Sequence, residues 1–247
     1  NAPKTTSRAG LDRKSLWMQL PLHPKEKTMA KHLEKELERL KKLIYTLGAR
    51  VDESLELAVK SFQENDAELA RKVIKGDGLI DDLEVEVEEE CLKALALYQP
   101  VAIDLRFIIA VMKMNSDLER IGDLAADIAK NGISINKGTK PRIPLDLHQM
   151  TYLAKAIVRK SLDSLLNIDT YLAREVLKDD EEIDGMKAEM KAEIVDALTR
   201  DPEHAETLIT LLAATNRLER IGDHACNIAE DVIYMVEADI VRHQLDE

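Results

Sequence analysis

Aromatic side chains are scarce: two Phe, one Trp and five Tyr among 247 residues, or 3%. Sandwiches and barrels draw on aromatic and β-branched residues, so an all-β fold is disfavoured. Turn formers are also few, with nine Gly and seven Pro, too few for many tight turns. Two cysteines, Cys91 and Cys226, stand far apart, with no CxxC or other thiolate-cluster spacing. They read as reduced, buried thiols of a cytoplasmic protein. The longest apolar run, Phe107–Met112, is six residues, against the roughly 20 that cross a bilayer. No P-loop, Rossmann glycine pattern or GxSxG elbow occurs, and no Ser or Cys has a base at motif spacing. The chain is therefore expected not to be an enzyme, and no catalytic residue is assigned.

Positive charge is in deficit: 35 Lys and Arg against 47 Asp and Glu give a net charge of −12. Residues 1–28 hold six basic side chains and two acidic ones, a net +4, which leaves −16 on residues 29–247. So acidic a body repels the phosphates of nucleic acid and suits cations or a basic partner surface. Residues 1–28 carry three of the seven Pro, no helical period and no apolar stretch of a secretory signal. They read either as a disordered arm or as a remnant ahead of a true start at Met29.

What is abundant is Leu, Ala, Glu, Lys and Asp, the composition of an all-α protein. Leu33, Leu37, Leu40, Ile44, Leu47 and Val51 alternate at spacings of four and three, which predicts a first helix from about Lys31 to Phe62. Asn65-Asp66-Ala67-Glu68 reads as a cap with an acid three residues later, opening a second helix. Val73, Ile80, Leu83, Val87 and Cys91 mark its buried side, and Gln99-Pro100 ends it. A third helix is expected from near Pro100 to about Asn136. Lys137–Pro144, with one Gly and two Pro, is the clearest linker. A fourth helix follows to Asn167 and a fifth from Thr170 to Leu198. Asp201-Pro202-Glu203 then reads as the N-cap, first-turn Pro and acid of a sixth helix running to about His243.

The two halves repeat each other. Leu118-Glu119-Arg120-Ile121-Gly122-Asp123 recurs as Leu218-Glu219-Arg220-Ile221-Gly222-Asp223, at an offset of 100. Upstream the offset is 103: Leu69-Ala70-Arg71 matches Leu172-Ala173-Arg174, and Asp77 and Asp81 match Asp180 and Asp184. The difference falls between the second and third helices of each half, where a turn absorbs it. This predicts two tandem, pseudo-symmetric three-helix bundles, over residues 29–138 and 145–247 with a linker at 139–144. Gly122 and Gly222 lie on a seam of small residues and read as close helix contacts.

The repeat also duplicates carboxylates. Glu119, Asp123 and Asp127 stack at i, i+4 and i+8 on the third helix, and Glu219, Asp223 and Asn227 repeat the stripe on the sixth. Asp77 with Asp81, and Asp180 with Asp184, form pairs on the second and fifth helices. Like charges one turn apart destabilise a helix, and a hard cation such as Mg²⁺, Ca²⁺, Mn²⁺ or ferric iron relieves that. Spacing alone leaves ordinary solvated surface standing beside metal binding. His204 lacks a second DxxH partner and His224 matches Leu124 in the first half, so His224 reads as surface.

The duplicated Leu-Glu-Arg-Ile-Gly-Asp string resembles the PhoU family, the regulators of phosphate transport systems. So do Ala70-Arg71-Lys72-Val73-Ile74-x-x-Asp77, Gln99-Pro100-Val101-Ala102-x-Asp104-Leu105-Arg106 and Val241-Arg242-His243. The resemblance covers about residues 31–243. It implies two three-helix bundles with surface E(D)xxxD motifs that hold iron or other metals (Mn, Zn, Mg or Ca). Those motifs fall on Asp77 with Asp81, Glu119 with Asp123, Asp180 with Asp184 and Glu219 with Asp223, extended by Asp127 and Asn227. It further implies a non-enzymatic homodimer at the cytoplasmic face of the membrane. There the family connects a phosphate ABC transporter, through its ATPase subunit, to a phosphate-sensing histidine kinase and represses uptake and the starvation response. Arg71, Asp104, Arg106 and Arg174 lie in the motifs as candidate partner contacts. The alternative is a helical protein that stores metal or uses it enzymatically. Asn227 departs from Asp127, and Asp104-Leu105-Arg106 has no copy in the second half.

Overall fold

The computed structural model describes residues 24–134 and 147–237. The linker at 139–144, most of the 1–28 segment and the Val241-Arg242-His243 motif lie outside the described residues. Among the described residues six α-helices are present: α1 (Pro24–Glu64), α2 (Ala67–Tyr98), α3 (Ala102–Ser134), α4 (Leu147–Asn167), α5 (Thr170–Arg200) and α6 (Ala205–Glu237). Among the described residues there is no strand. α1, α2 and α3 pack mutually, as do α4, α5 and α6. The two tandem bundles then meet chiefly through α3 against α6, with α1 against α4 at one side.

The predicted seams are the core. Leu40, Ile44, Leu47 and Val51 of α1 are at most 1% exposed, and Leu118, Ile121, Leu218 and Ile221 are wholly buried. One contiguous apolar cluster includes buried residues of both bundles. Gly132 lets α3 approach the backbone of Phe62, and Gly48 leaves room for Leu162 of α4.

The duplication holds at the level of single hydrogen bonds. Asp66 caps α2 by accepting from the amides of Glu68 and Leu69, both at 3.0 Å. Asp169 caps α5 by accepting from Tyr171 and Leu172 at 3.0 and 3.1 Å. Each turn is closed by the cap residue's own amide, Asp66 to Ser61 O at 2.9 Å and Asp169 to Ser164 O at 2.8 Å. Asn65 and Ile168, the residues before the caps, share a positive φ of 55°.

Three boundaries differ from expectation. The cap of α2 is Asp66, one residue later than the Asn65–Glu68 reading, because Asn65 takes the left-handed turn position that Asn tolerates. α1 begins at Pro24, seven residues before Lys31. Pro suits a first helical position, and Lys25, Glu26 and Lys27 favour helix even without an apolar stripe. Asp201 makes no side-chain cap bond to the backbone. Its carboxylate instead meets His204 Nδ1 at 2.7 Å across a short 3-10 turn, Pro202–His204, and α6 starts at Ala205.

Candidate metal centres

α2 and α3 are joined by a short turn through Gln99, which takes φ 46°. They run back alongside each other, so the acids of both face the same cleft. Asp77 and Asp81 of α2 stand opposite Glu119 and Asp123 of α3. The carboxyl of Asp77 is pushed above its ordinary value by burial first, then by Asp123 and Asp81. Glu119 is pushed up by burial, with Asp123 and Asp81 adding to it. In the second bundle Asp180 and Asp184 of α5 oppose Glu219 and Asp223 of α6. Burial is again the largest cause there, and lifts Asp180 from 3.8 to about 6. Asp223 rises through burial and then through Glu219 and Asp184. Among the described residues no group of three or more His, Cys, Asp or Glu side chains is gathered as a metal would require.

Two atoms among these acids stand out. Asp77 Oδ1 and Asp180 Oδ1, equivalent in the repeat, are both buried without a hydrogen-bond partner. A buried carboxylate oxygen without a donor is costly, and a cation satisfies it. Each faces the glycine of the repeated motif. A Cβ on Gly222 would collide with Asp180 Oδ1, and one on Gly122 would lie 3.7 Å from Asp77 Oδ1 and 3.0 Å from Ile80. The glycines therefore make room for the opposing carboxylate as well as for helix packing. Asp77, Asp81, Glu119 and Asp123, like their second-bundle counterparts, offer the oxygen donors a hard cation takes, but the four side chains are not gathered around one point.

The two sites differ in a way that sequence reasoning missed. Glu84 lies beside the first site, raised by burial and by Glu88 and Asp81. Asn115, only 1% exposed, donates to Glu84 O at 2.8 Å and Oε1 at 3.1 Å. The offset of 103 places Lys187 at the corresponding position, where its ammonium bonds Glu219. The signal was available, since the register that pairs Asp81 with Asp184 pairs Glu84 with Lys187. Cys226 is a second difference. Its thiol contacts the Asp180 carboxylate and is itself driven upward by burial and that neighbour, whereas the first bundle has Ala126.

Asp127 and Asn227 are turned toward the contact between bundles. Asp127 pairs with Lys130 at 3.2 Å and with Arg217 of α6 at 3.5 Å. Asn227 donates to Asp117 of α3 at 3.3 Å. These are equivalent contacts across the pseudo-two-fold: position 127 meets 217, and 227 meets 117. The Asp-to-Asn departure thus follows the change from Arg217 to Asp117 opposite it. His224 corrects the surface reading, because its Nδ1 lies 2.8 Å from Asp117 Oδ1. Local periodicity could not show this, since the contact exists only once α3 and α6 are packed together. Of the candidate partner contacts, Arg71 pairs with Glu68 on its own helix, and Arg174 with Glu237 at 2.8 Å. Arg106 lines a small cleft with Lys113 and Tyr234 and buries an unpartnered Nε, and Asp104 sits in the first turn of α3.

A pH dependence follows for the metal-free protein. An acid whose pKa is raised on folding binds its proton more tightly in the native chain than in the unfolded one. Its contribution to stability is therefore greatest below 3.8 and is lost as pH rises toward about 6. Asp180→Asn removes that loss. Urea titrations in chelator should show the variant gaining about 1–2 kcal/mol on the parent between pH 4 and pH 7. An equal difference at both pH values would contradict the burial of Asp180.

Two copies of a three-helix unit, each setting an acidic pair of its second helix against one of its third, define a duplicated helical-bundle carboxylate protein. The sequence profile described as the PhoU domain matches residues 44–132 and again residues 147–232, once per bundle. The chain belongs to the PhoU family. It is 37% identical over 212 residues to the phosphate-specific transport system accessory protein PhoU homolog of Aquifex aeolicus, covering 86% of this chain and 96% of that protein. It is also 37% identical over 209 residues to the homolog of Pseudomonas putida, covering 84% and 82%. The crystal structure of PhoU from Pseudomonas aeruginosa matches with a TM-score of 0.79 at 34% identity, over 83% of this chain and 99% of that one. The phosphate transport system regulatory protein PhoU from Streptococcus pneumoniae matches with a TM-score of 0.79 at 30% identity, over 85% and 99%. No helix of the described residues is long and apolar enough to cross a membrane.

Proposed function

We propose that this chain is an accessory protein of a phosphate-specific transport system that acts by binding rather than by catalysis. It restrains phosphate uptake and the starvation response by connecting the transporter's ATPase subunit to a sensor histidine kinase at the cytoplasmic face. The observation that carries the reading is the match of both bundles, over 86% of this chain, to a relative bearing that name. Deleting the gene should leave phosphate-starvation genes expressed at high phosphate, and the intact gene should restore repression. An unchanged response in the deletion strain would refute the reading.

Within that role the carboxylate clefts hold metal. Iron, Mn²⁺, Mg²⁺ or Ca²⁺ suits the oxygen donors, and zinc is the borderline case. The first site, where Asp77, Asp81, Glu119 and Asp123 have Glu84 beside them, is the stronger. The second carries its own cation in Lys187. The metal's contribution is charge neutralisation, which locks α2 to α3.

A further inference from the structure

The repeat supplies its own comparison for the groove between α1 and α2. In the second bundle the corresponding helices α4 and α5 are bridged by ion pairs: Lys160 of α4 bonds Asp179 and lies 3.8 Å from Glu175, both on α5. At the offset of 103 those positions are Leu57, Gly76 and Lys72. No such pairing can form there, and a groove of about 370 Å³ stays open. Leu57 and Ile80 line it, with Leu79, 58% exposed, at its edge. Arg50, Lys72 and Lys75 also line it, and Glu53, its one acid, pairs with Arg50 at 3.2 Å, which leaves the two lysines as its net charge. A basic, apolar-floored groove is unusual on a chain of net charge −12.

Gly76 adds an independent observation. A glycine in a helix interior costs about 1 kcal/mol relative to Ala. Gly48 and Gly132 offset that cost by admitting Leu162 and Phe62, but a Cβ on Gly76 would meet nothing within 4 Å. Gly78 and Gly185 are equally open, yet of the three only Gly76 lines the groove. Ser54 Oγ, also in the groove, is buried without a hydrogen-bond partner. The open space at Gly76 admits a close approach from outside the chain.

We propose that this groove docks an amphipathic helix whose apolar stripe is flanked by acidic residues, presented by a component of the phosphate transporter. The stripe enters over Leu57, Leu79 and Ile80, the partner backbone approaches at Gly76, and its carboxylates meet Lys72 and Lys75. The second bundle cannot take such a helix. Lys160 bridges its two helices through Asp179, and Glu182 replaces Leu79. Each chain therefore binds one partner, in one orientation. The proposal rests on the transport-accessory reading above.

The test is binding of the full chain to the detergent-solubilised phosphate transporter of the same organism. Gly76→Leu fills the groove while improving helix propensity, so it should melt no lower than the parent. It should nonetheless bind at least about tenfold more weakly, as should Leu79→Asp. Gly185→Leu, a glycine-to-leucine change at an equally open position outside the groove, should leave affinity unchanged. If the parent chain does not bind the transporter, the accessory reading itself fails. If the parent binds and Gly76→Leu binds equally well, the groove is not the docking site.

Discussion

Leu118→Ala should destabilise the entire chain by about 2–5 kcal/mol, the usual cost of an emptied leucine site in a packed core. For a domain of this size that lowers Tm on the order of 10 °C. Leu118 is wholly buried, on the helix that packs against α1, α2 and α6 together. The apolar cluster it belongs to is continuous through both bundles, so the loss cannot be confined to the first. Circular dichroism should record one cooperative transition at the lower temperature, and amide exchange should accelerate in α5 and α6 as well as in α2 and α3. Two separate transitions, with the second at the parent temperature, would show that the bundles fold independently. Arg120→Ala, two residues on in the repeated motif but exposed, should change stability by no more than about 0.5 kcal/mol.

Lys187→Glu should have the largest effect on metal. It removes the ammonium that bonds Glu219 and leaves that carboxylate facing Asp223, which shares its cleft with Asp184 and Asp180. The metal-free variant should lose about 1–2 kcal/mol, a figure discounted because Lys187 is partly exposed. With Mn²⁺ or Fe³⁺ present the second site should then resemble the first. Metal at about 100 times its Kd would return about 2.7 kcal/mol. The reciprocal change, Glu84→Lys, should close the first site while Asn115 still supports the helix. Calorimetric titration of both variants would show stoichiometry moving in opposite directions. Unchanged stoichiometry in both would mean that Lys187 is not what distinguishes the sites.

Much of this architecture was legible in the sequence. Seams such as Leu40-Ile44-Leu47-Val51 specify their helices because a 3.6-residue period maps directly onto one buried face. The repeated string made the halves equivalent and so paired the acids of α2 with those of α3. What escaped was whatever depends on packing between bundles. Asp127 and Asn227 continue a one-helix stripe of the motif, and their contacts with Arg217 and Asp117 across the pseudo-two-fold were not visible in that stripe. His224 read as surface because its copy is Leu124, yet that same asymmetry fits it to Asp117. Gly222 was legible as a close approach, but not that the approaching group is a carboxylate. The groove at Gly76 needed the offset to be applied to positions that differ, where the eye goes to those that match.

The metal count per chain tests the central claim most directly. Elemental analysis of metal-replete protein, set beside Glu119→Ala and Asp123→Ala, should show the parent carrying metal and both variants losing the greater part of it. Metal content equal in all three would contradict the assignment of the α2–α3 carboxylates as its ligands.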